Sequence, residues 1–158
     1  MQAGKKIYFI SDLHLGAPTP EASLVREKRF VNWLDEISHD AEELFVVGDL
    51  FDFWFEYKRA VPRGFVRCLG KLAELSDKGI KISVFTGNHD MWIFDYLPSE
   101  IGCTLYREPI TRVWNGKKFY ADDIEFHVDF VHSLFSRRDT ENFVRRVNRD
   151  HHSIVLRK

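Results

Sequence analysis

The chain has 158 residues, a length that suits one domain with a real core, and a formal charge of −1, which gives no case for a generally nucleic-acid-binding surface. Hydrophobic residues at 44% and charged residues at 30% exclude a disordered chain, and aromatics at 15%, 14 of them Phe, are the one excess over ordinary globular composition. Two cysteines without metal spacing, and no apolar run long enough to span a bilayer, point to a reducing, cytoplasmic setting, with peripheral attachment to the inner membrane left open.

Lys6 to Ile10 reads as a short strand ending in Ser11-Asp12-Leu13-His14-Leu15-Gly16. Pro18 and Pro20 break the chain. Leu24, Val25, Phe30, Val31, Leu34 and Ile37 then recur at helical spacing, which predicts an amphipathic helix ending near Ser38 whose apolar stripe covers the sheet. Leu44 to Val47 is apolar on both faces, so it belongs in the middle of a sheet covered by helices. It runs into Gly48-Asp49-Leu50-Phe51-Asp52, where the glycine permits a turn or close approach and Asp49 projects from the strand end.

The stretch Phe53-Trp54-Phe55-Glu56-Tyr57 is aromatic and irregular. Phe65, Val66, Leu69, Leu72, Ala73 and Leu75 predict a second helix from Gly64 to Asp77, stopped by Lys78-Gly79. Lys81 to Phe85 is a third strand and ends in Thr86-Gly87-Asn88-His89-Asp90. Further on, Thr104 to Glu108 and Ile110 to Val113 are strand-like, and Asn115-Gly116 signals a two-residue hairpin into Lys117 to Ala121. Beyond Ala121, Ile124 to Phe135 fits a strand or a helix, and Thr140 caps a basic helix through Arg149. The expected fold is α/β, a mixed, largely parallel sheet flanked by helices. Residues 1–158 read as a single domain, with 122–158 atypical in pattern.

Parallel strands joined by right-handed helical crossovers bring their C-terminal ends to one sheet edge. Three polar clusters therefore converge: Asp12 with His14, Asp49 with Asp52, and Asn88 with His89 and Asp90. Taken singly, Asp12, Asn88 and Asp52 fit caps, and the histidines fit ordinary loop positions. Joint occurrence at three strand ends favours ligands. Carboxylates, imidazoles and an amide oxygen suit a borderline divalent cation such as Mn²⁺, Zn²⁺ or Fe²⁺. Asp-x-His can reach one ion, Asp49 can bridge two, and Asn88 can serve the second. Two ions ~3.5–4 Å apart can clamp the attacking and leaving oxygens of a phosphoester and make water acidic enough to react near neutral pH. His89 reads as the catalytic group that contacts phosphate and protonates the leaving oxygen, with Asp90 orienting it.

Ser11-Asp12-Leu13-His14, Gly48-Asp49-Leu50-Phe51-Asp52 and Gly87-Asn88-His89-Asp90 resemble, in order and spacing, the first three signature blocks of the calcineurin-like metallophosphoesterase superfamily. Within it, Ile10 to Gly16 and Gly48 to Trp54 are similar to the UDP-2,3-diacylglucosamine hydrolases, which cleave a pyrophosphate in lipid A biosynthesis to release UMP and an acylated sugar phosphate. The resemblance covers about residues 5 to 120. It implies a dinuclear phosphoesterase or pyrophosphatase with Asp12, His14 and Asp49 on a first metal, Asp49 and Asn88 on a second, and His89 beside them. The family's usual metal is Mn²⁺, and the implied substrate is a UDP-diacylglucosamine-like lipid-linked nucleotide diphosphate.

The chain also departs from this pattern. The hydrolases often carry Arg where His89 stands, whereas the wider superfamily has His, so a metallophosphatase or phosphodiesterase acting on another substrate is an alternative. The downstream Gly-His and Gly-His-x-His blocks do not appear, which makes a catalytically silent or truncated binding module a second alternative. Asp123, His127, Asp129 and the pair His151-His152 are candidate substitutes for the missing ligands. The chain also reads as too short for the helical cap that shelters acyl chains in the lipid A enzymes. The aromatics Phe51, Phe53, Trp54, Phe55 and Tyr57 suit either packing under a loop or contact with a lipid, and Arg59 and Arg63 could meet phosphates.

Overall fold

In the computed structural model, residues 2, 4–114, 117–121 and 153–156 are described. The three apolar runs form β1 (Lys6–Ile10), β2 (Ala41–Val47) and β3 (Lys81–Phe85), joined by α1 (Pro20–Ile37) and α2 (Val66–Asp77). Then follow α3 (Tyr96–Ile101), β4 (Thr104–Tyr106), a hairpin of β5 (Ile110–Trp114) and β6 (Lys117–Ala121), and β7 (Ser153–Leu156). The main sheet has the order β4-β3-β2-β1-β7, with β4 to β1 parallel and β7 antiparallel to β1. This is the mixed, largely parallel sheet that the sequence predicts.

β2 is buried on both faces, as its unbroken apolar run requires. Leu44 and Val46 join Tyr8, Ile10, Ile82 and Val84 against Phe30, Leu34 and Ile37 of α1, Leu72 and Leu75 of α2, and Leu97 of α3. Phe45 and Val47 face the other way with Ile7, Phe9 and Phe85. There the expected cover differs. All three described helices pack on the first face, and the second is met by the hairpin, whose Trp114 and Ala121 close over Phe9 and Phe45. Large aromatic rings fill a layer that a helix would otherwise occupy.

α1 begins where Thr19 caps it, accepting a bond from the Ala22 N–H at 3.3 Å with Pro20 at the first position, and ends at Ile37. Its buried stripe is Ser23, Glu27, Phe30, Leu34 and Ile37; Val25, expected on that stripe, is 52% exposed. Cys68 and Cys103 are buried and free, and burial pushes the Cys103 thiol up to about 11, so neither is an activated nucleophile.

The pairing of Trp114 with Lys117 agrees with a two-residue connection at Asn115-Gly116, although those two residues are outside the described ones. The stretch 124–135 and the basic helix expected from Thr140 to Arg149 also lie outside them, as do Asp123, His127, Asp129, His151 and His152.

Candidate metal centre

β1, β2 and β3 are adjacent and parallel, so the loops that leave their C-terminal ends meet. Their backbones are stitched together: the N–H of Asp12 donates to the Gly48 carbonyl (3.4 Å), that of His14 to Asp49 (2.9 Å) and that of Gly48 to Phe85 (3.3 Å). Among the described residues five non-glycine residues have positive φ, and three of them are expected ligands: Asp12 (54°), His14 (40°) and Asp49 (50°). The left-handed region costs an L-residue ~1–2 kcal/mol. Such strain persists where the surroundings impose it, and it gathers at functional sites.

His14, Asp49 and His89 each place a ligand atom within 4.8 Å of the others. Two atoms bound to one ion at ~2.0–2.2 Å can be no more than ~4.4 Å apart, so a shift of tenths of an ångström would close the cluster on a cation. Nε2 of His14 lies 3.8 Å from Oδ2 of Asp49 and 4.0 Å from Oδ1 of Asp12. Nδ1 of His14 is buried without a hydrogen-bond partner. The imidazoles and carboxylates gathered around Nε2 of His14 fit a divalent cation of the Mn²⁺, Fe²⁺ or Zn²⁺ kind.

His89 is expected beside the metals; its ring stands edge-on to that of His14, with centroids 4.7 Å apart, and one of its ring nitrogens lies within 4.8 Å of ligand atoms of His14 and Asp49. Its Nδ1 lies 2.9 Å from the carbonyl of Asp52. A carbonyl only accepts, so Nδ1 carries the hydrogen and Nε2 points its chemistry elsewhere. That bond, together with the carboxylates of Asp49, Asp52 and Asp90, raises the pKa of His89 above its ordinary value, against a smaller opposing effect of burial.

Asp90 does not orient His89 as the sequence suggested. It is fully buried, with Oδ1 accepting from Gly87 N–H (2.8 Å) and Oδ2 from Phe51 N–H (3.2 Å). Burial raises its pKa and these backbone bonds oppose the rise. The orienting contact to His89 is made by Asp52 instead, whose Oδ1 also lies 3.5 Å from Nδ1 of His14 and 3.6 Å from Nδ1 of His89. Asp12, 4.0 Å from Nε2 of His14, and Asn88, next to His89 in the chain, are both exposed.

Sequence reasoning passed over Gly87. A Cβ there would lie 2.2 Å from Oδ1 of Asp49, so only glycine lets the two loops approach. Its position two residues after the end of β3 and before Asn88 was the available signal. Arg26 and Ser23, which hold the His14 loop from α1, carried none, because polar residues on an amphipathic helix read as solvated.

Known proteins are similar to this chain. The chain is 49% identical over 114 residues to a UDP-2,3-diacylglucosamine hydrolase of Porphyromonas gingivalis, covering 72% of this chain and 44% of the relative. It is 35% identical over 109 residues to the Pseudomonas aeruginosa protein of the same name, covering 65% of this chain and 41% of that one. The chain thus spans less than half the length of the curated relatives it matches. A solved structure, a protein of unknown function from Aquifex aeolicus, superposes with a TM-score of 0.53 at 18% identity, covering 90% of this chain and 72% of that chain, and shares the fold. Matched from residue 5 to residue 156, well past the last recognisable motif, the chain belongs to the calcineurin-like phosphoesterase family.

Proposed function

We propose that the chain hydrolyses a phosphoric anhydride, with a UDP-diacylglucosamine-like lipid-linked nucleotide diphosphate as the favoured substrate. The observation that carries this reading is the convergence of His14, Asp49 and His89 at three parallel strand ends in a member of this family. Asp12, His14, Asp49 and Asn88 would hold two divalent ions, Mn²⁺ in the first instance and Fe²⁺ or Zn²⁺ otherwise. Bound there, such ions supply positive charge against the phosphoryl oxygens and acidify water. His89 would contact the phosphate and give a proton to the leaving oxygen, a role suited by its raised pKa and by the Asp52 carbonyl that fixes its ring. Asp90 would act through the backbone, pinning Gly87 to Phe51 so that Asp49 and His89 keep their places.

A lipid-linked substrate is supported by an apolar platform that begins next to the cluster. In Phe53 to Tyr57 the side chains alternate, with Trp54 and Glu56 buried and Phe53, Phe55 and Tyr57 exposed. Glu56 accepts bonds from Trp54 Nε1 (3.0 Å), Asp95 N–H (2.9 Å) and Tyr96 N–H (3.2 Å), which fixes the segment to the start of α3. Met91, Trp92 and Phe94 are exposed as well, and Trp92 packs against both Phe53 and Phe55. This exposed ring cluster suits acyl chains or a bilayer surface, with Lys58, Arg59 and Arg63 close in sequence for anionic groups. Among the described residues no helix is long and apolar enough to cross a membrane.

The test is to incubate the full chain, loaded with Mn²⁺, with UDP-2,3-diacylglucosamine and to follow UMP release by chromatography. Release of UMP is expected. Hydrolysis of a soluble phosphodiester without UMP release would point to another substrate, and no turnover of either at saturating metal would identify a silent binding member. Phe53→Ser with Trp92→Ser should raise KM for the lipid substrate several-fold and leave turnover of the soluble phosphodiester unchanged.

A further inference from the structure

The loop that carries Asp12 and His14 is gripped from two sides. On the inner side, His14 N–H donates to the Asp49 carbonyl (2.9 Å), Leu15 N–H donates to Leu50 (3.0 Å), and Asp52 N–H donates back to Leu15 (3.0 Å). On the outer side stands α1. One terminal nitrogen of Arg26, Nη1, faces three carbonyls at once: Leu13 at 2.9 Å, His14 at 2.7 Å and Ala17 at 3.2 Å. One helical turn earlier, Ser23 Oγ accepts from Gly16 N–H at 2.7 Å. Nη1 has two hydrogens for three acceptors, so one hydrogen is shared, and the carbonyls are drawn into a small cage around a positive charge.

We propose that Arg26 is a positioning residue for the metal ligand His14. His14 is the point where the two grips meet, since its N–H is held by Asp49 and its carbonyl by Arg26. That pairing fixes both peptide planes around a left-handed residue with φ of 40°. A backbone in that region relaxes unless its surroundings over-determine it, and relaxation at His14 would swing the imidazole away from Asp49. The guanidinium is planar and presents its hydrogens in a fixed fork, which suits a grip on several carbonyls at once. Residues of α1 thereby set the geometry of a site on the far side of the loop. The proposal rests on the reading of His14 as a metal ligand.

The test compares the full wild-type chain with Arg26→Gln and Arg26→Lys. Mn²⁺ affinity is read from the free-ion signal by electron paramagnetic resonance, and amide hydrogen exchange is followed at Gly16 and Ala17 in the metal-free protein. Arg26→Gln should weaken Mn²⁺ binding about tenfold or more, the range found when a group supporting a metal ligand is lost. It should speed exchange at Gly16 and Ala17 and leave the amides of β2 unchanged. Turnover of a soluble phosphodiester should recover at saturating Mn²⁺, because the ligands themselves remain. Arg26→Lys should restore most of the affinity, since a single ammonium nitrogen can also serve several carbonyls. Unchanged exchange in Arg26→Gln, or faster exchange with unchanged Mn²⁺ affinity, would overturn the proposal, as would an Arg26→Lys variant as weak as Arg26→Gln. If the wild-type chain took up no Mn²⁺, the metal reading itself would fall; the exchange arm would still decide whether Arg26 holds the loop.

Discussion

Gly87 and Asp49 approach so closely that a methyl group on Gly87 would fall 2.2 Å from Oδ1 of Asp49, 2.6 Å from its backbone nitrogen and 2.8 Å from its Cγ. The contact involves backbone as well as side chain, so rotation of Asp49 alone does not relieve it. The same Oδ1 accepts from His89 N–H at 3.0 Å, so displacement of Asp49 also frees the loop that carries His89. Gly87→Ala should therefore weaken Mn²⁺ binding by more than tenfold, with a stability loss of about 1–3 kcal/mol from overpacking. Calorimetric titration with Mn²⁺ and urea unfolding of the metal-free protein measure the two effects. A variant that bound Mn²⁺ like wild type would show that Asp49 need not sit where it does.

The raised pKa of His89 has a sign that can be checked in the metal-free protein. The Asp52 carbonyl is the largest cause, and the carboxylates of Asp49, Asp52 and Asp90 add to it. Since the folded value lies above the ordinary 6.5, the charged ring stabilises the fold below that pH, and this contribution is lost as pH rises through the folded value. Stability of wild type relative to His89→Gln should thus decline between mildly acidic and mildly alkaline pH. Asp52→Asn keeps the carbonyl and removes one carboxylate, so an NMR titration should find the His89 pKa lowered towards 6.5 but still above it. An unchanged or higher value would contradict the Coulombic role of Asp52.

Glu27 links the two long helices. Buried on α1, it accepts from Arg67 N–H (3.0 Å) and Cys68 N–H (3.1 Å) through the same oxygen, Oε1. These donors open α2, whose own cap residue, Phe65, is left-handed and makes no side-chain capping bond. Glu27→Ala should cost about 2 kcal/mol by stranding two N–H groups, whereas Glu27→Gln keeps an acceptor oxygen and should cost less than about 1 kcal/mol, mainly the lost charge at the helix N-terminus. Urea unfolding distinguishes them; equal losses would mean that the charge, not the acceptor, holds the helix.

The contrast between Glu27 and Phe45 explains what the sequence could disclose. β1, β2 and β3 were legible because each is a short apolar run that ends in polar residues, and once their order was read as parallel the meeting of His14, Asp49 and His89 followed from topology. α1 was legible in extent but not in its buried stripe, because Ser23 and Glu27 are polar residues buried to hydrogen-bond backbone groups of other segments, and such partners are invisible along one helix. α3 was not foreseen, since six residues containing Pro98 show no periodicity. The aromatic stretch from Phe53 seemed irregular because burial of Trp54 and Glu56 alternates with exposure of Phe53, Phe55 and Tyr57, an alternation hidden when the outward face is also apolar. The place of Asp90 was hidden for a similar reason. Adjacency suggested that Asp90 serves His89, but the loop turns its side chain inward to Gly87 and Phe51 and leaves the carbonyl of Asp52 facing the ring.

Asp49 stands at the middle of the proposed metal-dependent hydrolytic site. Asp49→Asn changes one oxygen for an amide, and its remaining oxygen can still accept from His89 N–H, so the fold should stay near wild-type stability. The decisive measurement is turnover of a soluble phosphodiester by the full chain at saturating Mn²⁺, for wild type and Asp49→Asn side by side. Wild type should turn over the diester in a reaction that EDTA abolishes, and Asp49→Asn should lose at least about a hundredfold. Turnover by the variant at the wild-type rate, or none by wild type with Mn²⁺ bound, would contradict the placement of Asp49 in that site.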